Sequence, residues 1–427
     1  MKDVRIWKQE LREGAHAARL ASLYCCAPED TAPQAARYAA ALDGLEAAFG
    51  PHSAAALFSA PGRTEIGGNH TDHNLGRVLA AAVNLDTVAA VTKTDDGVIV
   101  VDSEGYRPIT VDTADLSVHE AELGTTAALI RGVAARMQEL GYKVGGFKAT
   151  VTSSVLRGSG LSSSAAFEVL IGAILDGLYN GWVLDAKERA QIAQRAENLH
   201  FGKPCGLMDQ MASSVGNIIT IDFADPAAPV VEPVEVDFSK AGLALCILDS
   251  GADHADLTDE YAAIPADCRA VAAVCGGDVL RNVPFETFLA HIPACRKACG
   301  DRAVLRAFHV YADNQRVEKQ VAALRAGDFD AFLALVNESG RSSWEYLQNV
   351  IPAGYTKHQE VAVTIAAAKH LLAGEGAVRV HGGGFAGTVQ AFVPLARLDA
   401  FKAGIEAIIG PGRCHVLSIR PEGGAVL

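Results

Sequence analysis

Apolar residues recur at three- and four-residue spacing through Lys8 to Leu23 and again through Pro33 to Ala48, which predicts helices over residues 1 to about 45. Beyond them the period shortens. Ala56 to Ala60, Val78 to Val91 and Gly97 to Val101 read as strands of a β-rich sheet, with Asp95, Asp96 and Gly97 as a turn. Helical spacing returns in Thr125 to Leu140, and a strand is expected at Phe147 to Ser153. Phe167 to Leu178 is an apolar helical stretch, and Asp185 to Asn198 an amphipathic helix that carries Glu197 towards a loop at Phe201. Ile218 to Phe223 and Leu243 to Asp249 read as strands. Between them, Asp225 to Val234 holds three prolines and marks the expected change of domain. Further helices are predicted at Ala262 to Cys275, Asp301 to Ala326, Asp328 to Ser339 and Gln359 to Leu372. Ala377 to Val380 and Thr388 to Val393 read as strands around a glycine loop.

Length and composition narrow this picture. A chain of 427 residues exceeds one ordinary hydrophobic core, so two domains are expected. A chain that is 50% hydrophobic and 20% charged is globular and not disordered. The net charge of -13 argues against a nucleic-acid partner and against casual binding to anionic membranes. An anionic ligand therefore needs a local pocket of cations or backbone N–H groups. No apolar run is long enough to suggest a membrane span, and Met1 to Cys25 lacks the apolar core of a signal peptide. Nine cysteines without a CxxC pair fit a reducing cytoplasm, the expected location. Cys295 and Cys299 stand four apart, but no histidine pair completes a zinc site. The oligomeric state, monomer or homodimer, is open.

The strongest chemical signal is Gly158-Ser159-Gly160-Leu161-Ser162-Ser163-Ser164-Ala165, between the strand ending at Ser153 and the helix at Phe167. Glycines let backbone wrap closely around an anion. Serines at a helix start add hydroxyls to N–H groups that have no partner within the helix. A nucleotide phosphate suits that chemistry, although the Gly-x4-Gly-Lys-Ser/Thr pattern of a P-loop is absent. A serine-rich helix cap is the plainer alternative.

Three further blocks accompany it: Ala60-Pro61-Gly62-Arg63 through Asn69-His70-Thr71-Asp72-His73-Asn74, then Gly202-Lys203-Pro204-Cys205-Gly206-Leu207-Met208-Asp209-Gln210-Met211, then His381-Gly382-Gly383-Gly384-Phe385-Ala386-Gly387-Thr388. In this order the blocks resemble the signatures of the GHMP small-molecule kinases, and the first resembles that of the galactokinases in particular. The resemblance spans residues from about 45 to 420. It implies an α+β fold of two domains, ribosomal-protein-S5-like at the N-terminus and ferredoxin-like at the C-terminus, with the active site in the interdomain cleft. Residues 1–45 would then be a packed helical extension, 46–235 the N-terminal kinase domain and 236–427 the C-terminal one.

The resemblance also implies a reaction, the transfer of the ATP γ-phosphoryl group to the anomeric 1-hydroxyl of galactose, with ATP as co-substrate and Mg2+ as cofactor. Asp209 and Arg63 would be catalytic, with Arg63 beside Asp209 and holding it ionised. Asn69, His70, Asp72, Gly206 and Tyr261 would line the sugar pocket. Gly158 to Ala165 would hold ATP, Ser163, Ser164 and Glu197 would hold the metal, and Gly382, Gly383, Gly384 and Gly387 would bring backbone close to the cleft.

The chain departs from the pattern at named positions. Galactokinases usually carry glutamate where Asn69 stands and asparagine where Glu65 stands. That exchange leaves open a galactose modified at C6 or C2, such as galacturonate or N-acetylgalactosamine. His381 and Ala386 also vary from the glycine-loop pattern, and Ala386 fits only with negative φ. A non-catalytic sugar sensor on the same scaffold is a rival, which the intact Gly-Leu-Ser-Ser-Ser-Ala block argues against. Mevalonate- and homoserine-type kinases are others, opposed by the His-Thr-Asp and Pro-Cys-Gly-Leu-Met-Asp segments. A metal reading of His70, Asp72 and His73 finds nothing elsewhere in the sequence to complete a site.

Overall fold

The computed structural model describes residues 1–51, 54–155, 160–252 and 257–427. Three helices come first: α1 Val4–Arg12, α2 Ala17–Tyr24 and α3 Ala32–Phe49. The single helix expected over Lys8 to Leu23 is in fact α1 and α2. Gly14, with φ +74, breaks it, a backbone conformation that costs glycine little.

Strands β1 Ala56–Gly67, β2 Arg77–Lys93, β3 Val98–Ser103 and β4 Ile109–Asp112 follow, then α4 Thr126–Glu139 and β5 Phe147–Ser153. β1 does not stop at Ala60. It runs through Pro61 and Gly62 to Gly67, and its register against β2 shifts between Pro61 and Arg63. A bulge accommodates proline, which cannot donate to the ladder, and re-aims the side chain after it. The side chain so placed is Arg63.

Helices α5 Ser163–Tyr179, α6 Ala186–Arg195 and α7 Met208–Val215 precede β6 Ile218–Asp222 and β7 Val230–Pro233. β7 lies within the proline-rich segment expected to be only a domain junction. It pairs with β6 alone, and proline is tolerated at such an edge. The first sheet places the chain's last strand, β12 Ala425–Val426, beside β1 and runs β12-β1-β2-β5-β3-β4, with β6 and β7 continuing from β2. Alternate residues face opposite ways. Phe58, Ala89 and Val91 pack under α4, α5 and α6, whereas Leu57, Val88 and Ala90 are covered by Trp7, Leu20, Tyr38 and Leu42 from α1 to α3.

β8 Leu243–Asp249 opens the second sheet. α8 Thr258–Val274, α9 Phe285–Cys299, α10 Asp301–Ala326, α11 Phe329–Ser342 and α12 Glu360–Leu372 follow. The chain ends with β9 Ala377–Val380, β10 Thr388–Pro394, α13 Leu398–Ile409, β11 Cys414–Leu417 and β12 Ala425–Val426. This sheet has the order β11-β8-β10-β9. Its Leu245 and Ile247 meet Ile66, Leu79 and Leu161 of the first sheet's side in one shared core, while Cys246 and Leu248 pack with α12 and α13. The last strand then crosses back, pairing Ser59 with Ala425. Among the described residues no helix is long and apolar enough to cross a membrane.

Candidate active site

Four segments far apart in sequence converge where the two sheets meet. Arg63, displaced by the bulge in β1, is buried and donates from Nε to Asp209 Oδ1 at 2.7 Å. A second guanidinium nitrogen donates to the carbonyl of Gly160. The Arg63 backbone N–H donates to Leu161 at 3.0 Å, so the glycine-serine loop is pinned to β1. Gly160 has φ +68, and a Cβ there would lie 3.2 Å from His381 Nδ1, so that loop also abuts the C-terminal glycine loop.

Burial alone would push the Asp209 carboxyl up. The adjacent Arg63 charge and hydrogen bonds from Arg63 and Ser162 outweigh it and hold Asp209 below the usual carboxylate range. Asp209 is the second residue of α7.

α5 starts after Ser162, which adopts left-handed φ 56. The N–H groups of Ser163, Ser164 and Ala165 fall in its first turn, without partners inside the helix, and point to where an anion is favoured. The Ser164 hydroxyl donates to Glu197 Oε1 at 3.3 Å. Glu197 is buried in a π-helical turn, Ala196–Phe201, that prolongs α6. Lys203 Nζ reaches the same carboxylate oxygen at 3.2 Å. A hydroxyl and a carboxylate beside an anion cradle fit a hard divalent ion that takes its other ligands from phosphate and water. No cluster of three or more His, Cys, Asp or Glu side chains arranged for a metal occurs among the described residues, His70, Asp72 and His73 included. Gly158 and Ser159, and Arg157 before them, lie outside the described residues.

The loop after β1 forms the next wall. His70, at φ 60, donates from Nε2 to the Gly383 carbonyl at 3.0 Å. Burial and then the neighbouring His73 lower its pKa to about 4, so the ring is neutral at pH 7. Gly206 lies so close to Asp72 that a Cβ would stand 2.1 Å from its Oδ2. Tyr261 donates to the Gly384 carbonyl at 2.7 Å, and its ring covers Gly383. In the glycine loop Gly382, Gly384 and Gly387 take positive φ. So does Phe385 at φ 60, whereas Ala386 does not.

Asn69 is fully engaged by protein. Its Nδ2 donates to Glu65 Oε1 at 3.0 Å and to the Gly382 carbonyl at 2.6 Å. Its Oδ1 accepts from Ser343 at 3.2 Å and from Asn349 at 2.8 Å. Glu65 is also held by the buried Arg379. The amide and carboxylate that have exchanged places relative to the family pattern are thus bonded to each other.

Sequence reasoning passed over Arg379, Asn349, Glu168 and Gln210, which hold the groups above. Glu168 left a local trace as an acid inside the apolar stretch Phe167 to Leu178, Arg379 as a charge inside the strand Ala377 to Val380, and Gln210 by following Asp209 in its motif block.

The profile described as "GHMP kinases N terminal domain" matches residues 128–217, and that described as "Galactokinase galactose-binding signature" matches 45–93. Among solved structures, galactokinase of Lactococcus lactis complexed with galactose superposes with a TM-score of 0.77 at 24% identity, over 90% of this chain and 98% of that one. A mevalonate kinase superposes at 0.62 and 13%, over 86% and 99%. Fold and site together therefore define the GHMP kinase class. The galactokinase of Streptomyces coelicolor is 32% identical over 86% of this chain and 93% of its own. That of Mycobacterium tuberculosis is 36% identical over 80% and 89%. The chain belongs to the galactokinase family.

Proposed function

We propose that this protein transfers the γ-phosphoryl group of ATP to the 1-hydroxyl of galactose. The observation that carries the reading is the Arg63–Asp209 pair, set at 2.7 Å beside the open start of α5. Phosphoryl transfer needs a positioned hydroxyl, neutralised charge and in-line geometry, with little covalent help from the protein. Asp209 accepts the hydrogen bond of the sugar hydroxyl and aims it at the phosphorus. Because Arg63 keeps Asp209 a weak base, the proton moves late, as the new bond forms. Arg63 also faces the charge that builds on the transferring group.

Gly160 to Ala165 support the triphosphate through backbone N–H groups and hydroxyls. Mg2+, when bound, supplies charge neutralisation at the phosphates, and Ser164 and Glu197 would hold it, with Ser163 beside them. His70, Asp72, Gly206 and Tyr261 line the sugar side, where directional hydrogen bonds separate epimers. Asn69 shapes this wall by fixing the loop to the C-terminal half. A cytoplasmic location is part of this reading, supported by nine cysteines that are all free.

The test is the initial rate of ADP release with MgATP and galactose, compared with galacturonate and N-acetylgalactosamine. Galactose should give the highest kcat/KM. Asp209→Asn should lower kcat by about 10²–10⁴-fold with ATP binding kept. Absence of a rate on galactose would defeat the proposal.

A further inference from the structure

Glu168 is fully buried in α5 and takes no part in the chemistry above. A carboxyl in such a place is costly unless it is bonded. Its Oε2 accepts from Gln210 Nε2 at 3.1 Å, and the same nitrogen donates to Glu197 Oε2 at 2.8 Å. One amide therefore ties two acidic side chains together. Its nitrogen faces Glu197, since an amide oxygen there would be repelled by that carboxylate.

The surrounding geometry gives the tie a direction. Ser164 and Glu168 lie four residues apart on α5, on one face of the helix. Ser164 meets Glu197 Oε1 directly, while Glu168 meets its Oε2 side through Gln210. Glu197 is thus gripped at both oxygens, with Oε1 turned towards the phosphate cradle. Gln210 is also the residue after Asp209 in the first turn of α7. The same helical turn fixes the aspartate beside the reacting hydroxyl and the carboxylate beside the cation.

We infer that Gln210, braced from behind by Glu168, is a positioning residue that fixes the Glu197 carboxylate for the divalent ion carried by the nucleotide. The inference rests on the proposed role of Glu197 as the metal carboxylate. The family pattern used above assigns no task to either residue.

The experiment uses the full chain and reads Mn2+ directly. Mn2+ is titrated in the presence of ADP, and free Mn2+ is followed by electron paramagnetic resonance, with circular dichroism as the check on folding. Gln210→Leu should weaken Mn2+ binding by about 10–100-fold, the usual effect of removing a partner that orients a ligand. KM for galactose should stay as in the wild type. Glu168→Gln keeps an acceptor oxygen for Gln210 and should bind Mn2+ nearly as the wild type does, whereas Glu168→Leu should weaken it.

Unaltered Mn2+ affinity in a folded Gln210→Leu protein overturns the inference. If that variant does not fold, equal affinities of Glu168→Gln and Glu168→Leu overturn it instead. A wild-type protein that binds no Mn2+ with ADP removes the metal reading and this inference together. The expected Mn2+ contrast without turnover of galactose would leave the inference standing and defeat only the choice of sugar.

Discussion

Asp209 stands between two opposed effects. Burial disfavours its charge, and the guanidinium of Arg63 at 2.7 Å favours it; the second effect prevails. A lowered pKa places the loss of the active, ionised form below the pH at which an ordinary aspartate titrates. The sign for stability is the same: the Asp209 contribution is present above the unfolded pKa and is lost as pH falls through the folded one. Replacing Arg63 by methionine removes the opposing cation and leaves burial. The acid limb of the kcat/KM profile for galactose should then move to higher pH, in addition to a loss of rate. An acid limb that stays where the wild type has it would show that Arg63 does not set the ionisation of Asp209. The partner stands 146 residues away, so the pairing is implied by the family resemblance and not by any sequence neighbour of Asp209.

At the scale of elements, short backbone approaches decide which loops share the site. The loop before α7 lies against the loop after β1 only because residue 206 has no side chain. In Gly206→Ala the new methyl would stand 2.1 Å from Asp72 Oδ2, and Asp72 would have to turn away. We expect KM for galactose to rise about tenfold, equivalent to roughly 1.4 kcal/mol of lost sugar contact, with KM for ATP unchanged. Steady-state kinetics with each substrate varied in turn checks this, and equal shifts in both constants would contradict it. The motif blocks around these loops were legible in sequence because each is a local run of residues with its own chemistry. α9 was not, since Pro284 precedes it and Pro293 lies within it, both of which obscure helical spacing.

Across the whole molecule, the N-terminal helices and the C-terminal strand are locked by one buried carboxylate. Asp86 in β2 is fully buried and accepts from Tyr24 at 2.5 Å, Arg37 at 2.8 Å and Arg420 at 3.1 Å, and from Ser59. These partners come from α2, α3, β1 and the segment before β12. Removing one member of such a set strands the other charges inside the protein. Asp86→Ala should therefore destabilise the fold by about 3–5 kcal/mol. Denaturant unfolding followed by circular dichroism measures this, and a loss below about 1 kcal/mol, the value of an exposed pair, would show that Asp86 ties nothing together. The same network explains why residues 1 to 45 pack as part of the body: they cover Leu57, Val88 and Ala90, which the sheet would otherwise expose.

Periodicity and motif order by themselves determined much of the run of strands and helices, the anion-friendly start of α5 and the set of residue types available for phosphoryl transfer. These are properties of neighbouring residues, and a chain carries them before it folds. The family resemblance already implies that Arg63 stands beside Asp209; tertiary structure alone decided the other partnerships: Glu65 with Arg379, Asn69 with Asn349, Glu168 with Glu197 through Gln210. Glu65 with Arg379 and Asn69 with Asn349 join segments that meet only after the two sheets have packed through their shared core, whereas Glu168 reaches Glu197 only once α5, α6 and α7 have packed on one another. Burial then sets the worth of each contact, because the same two groups in water would interact far more weakly.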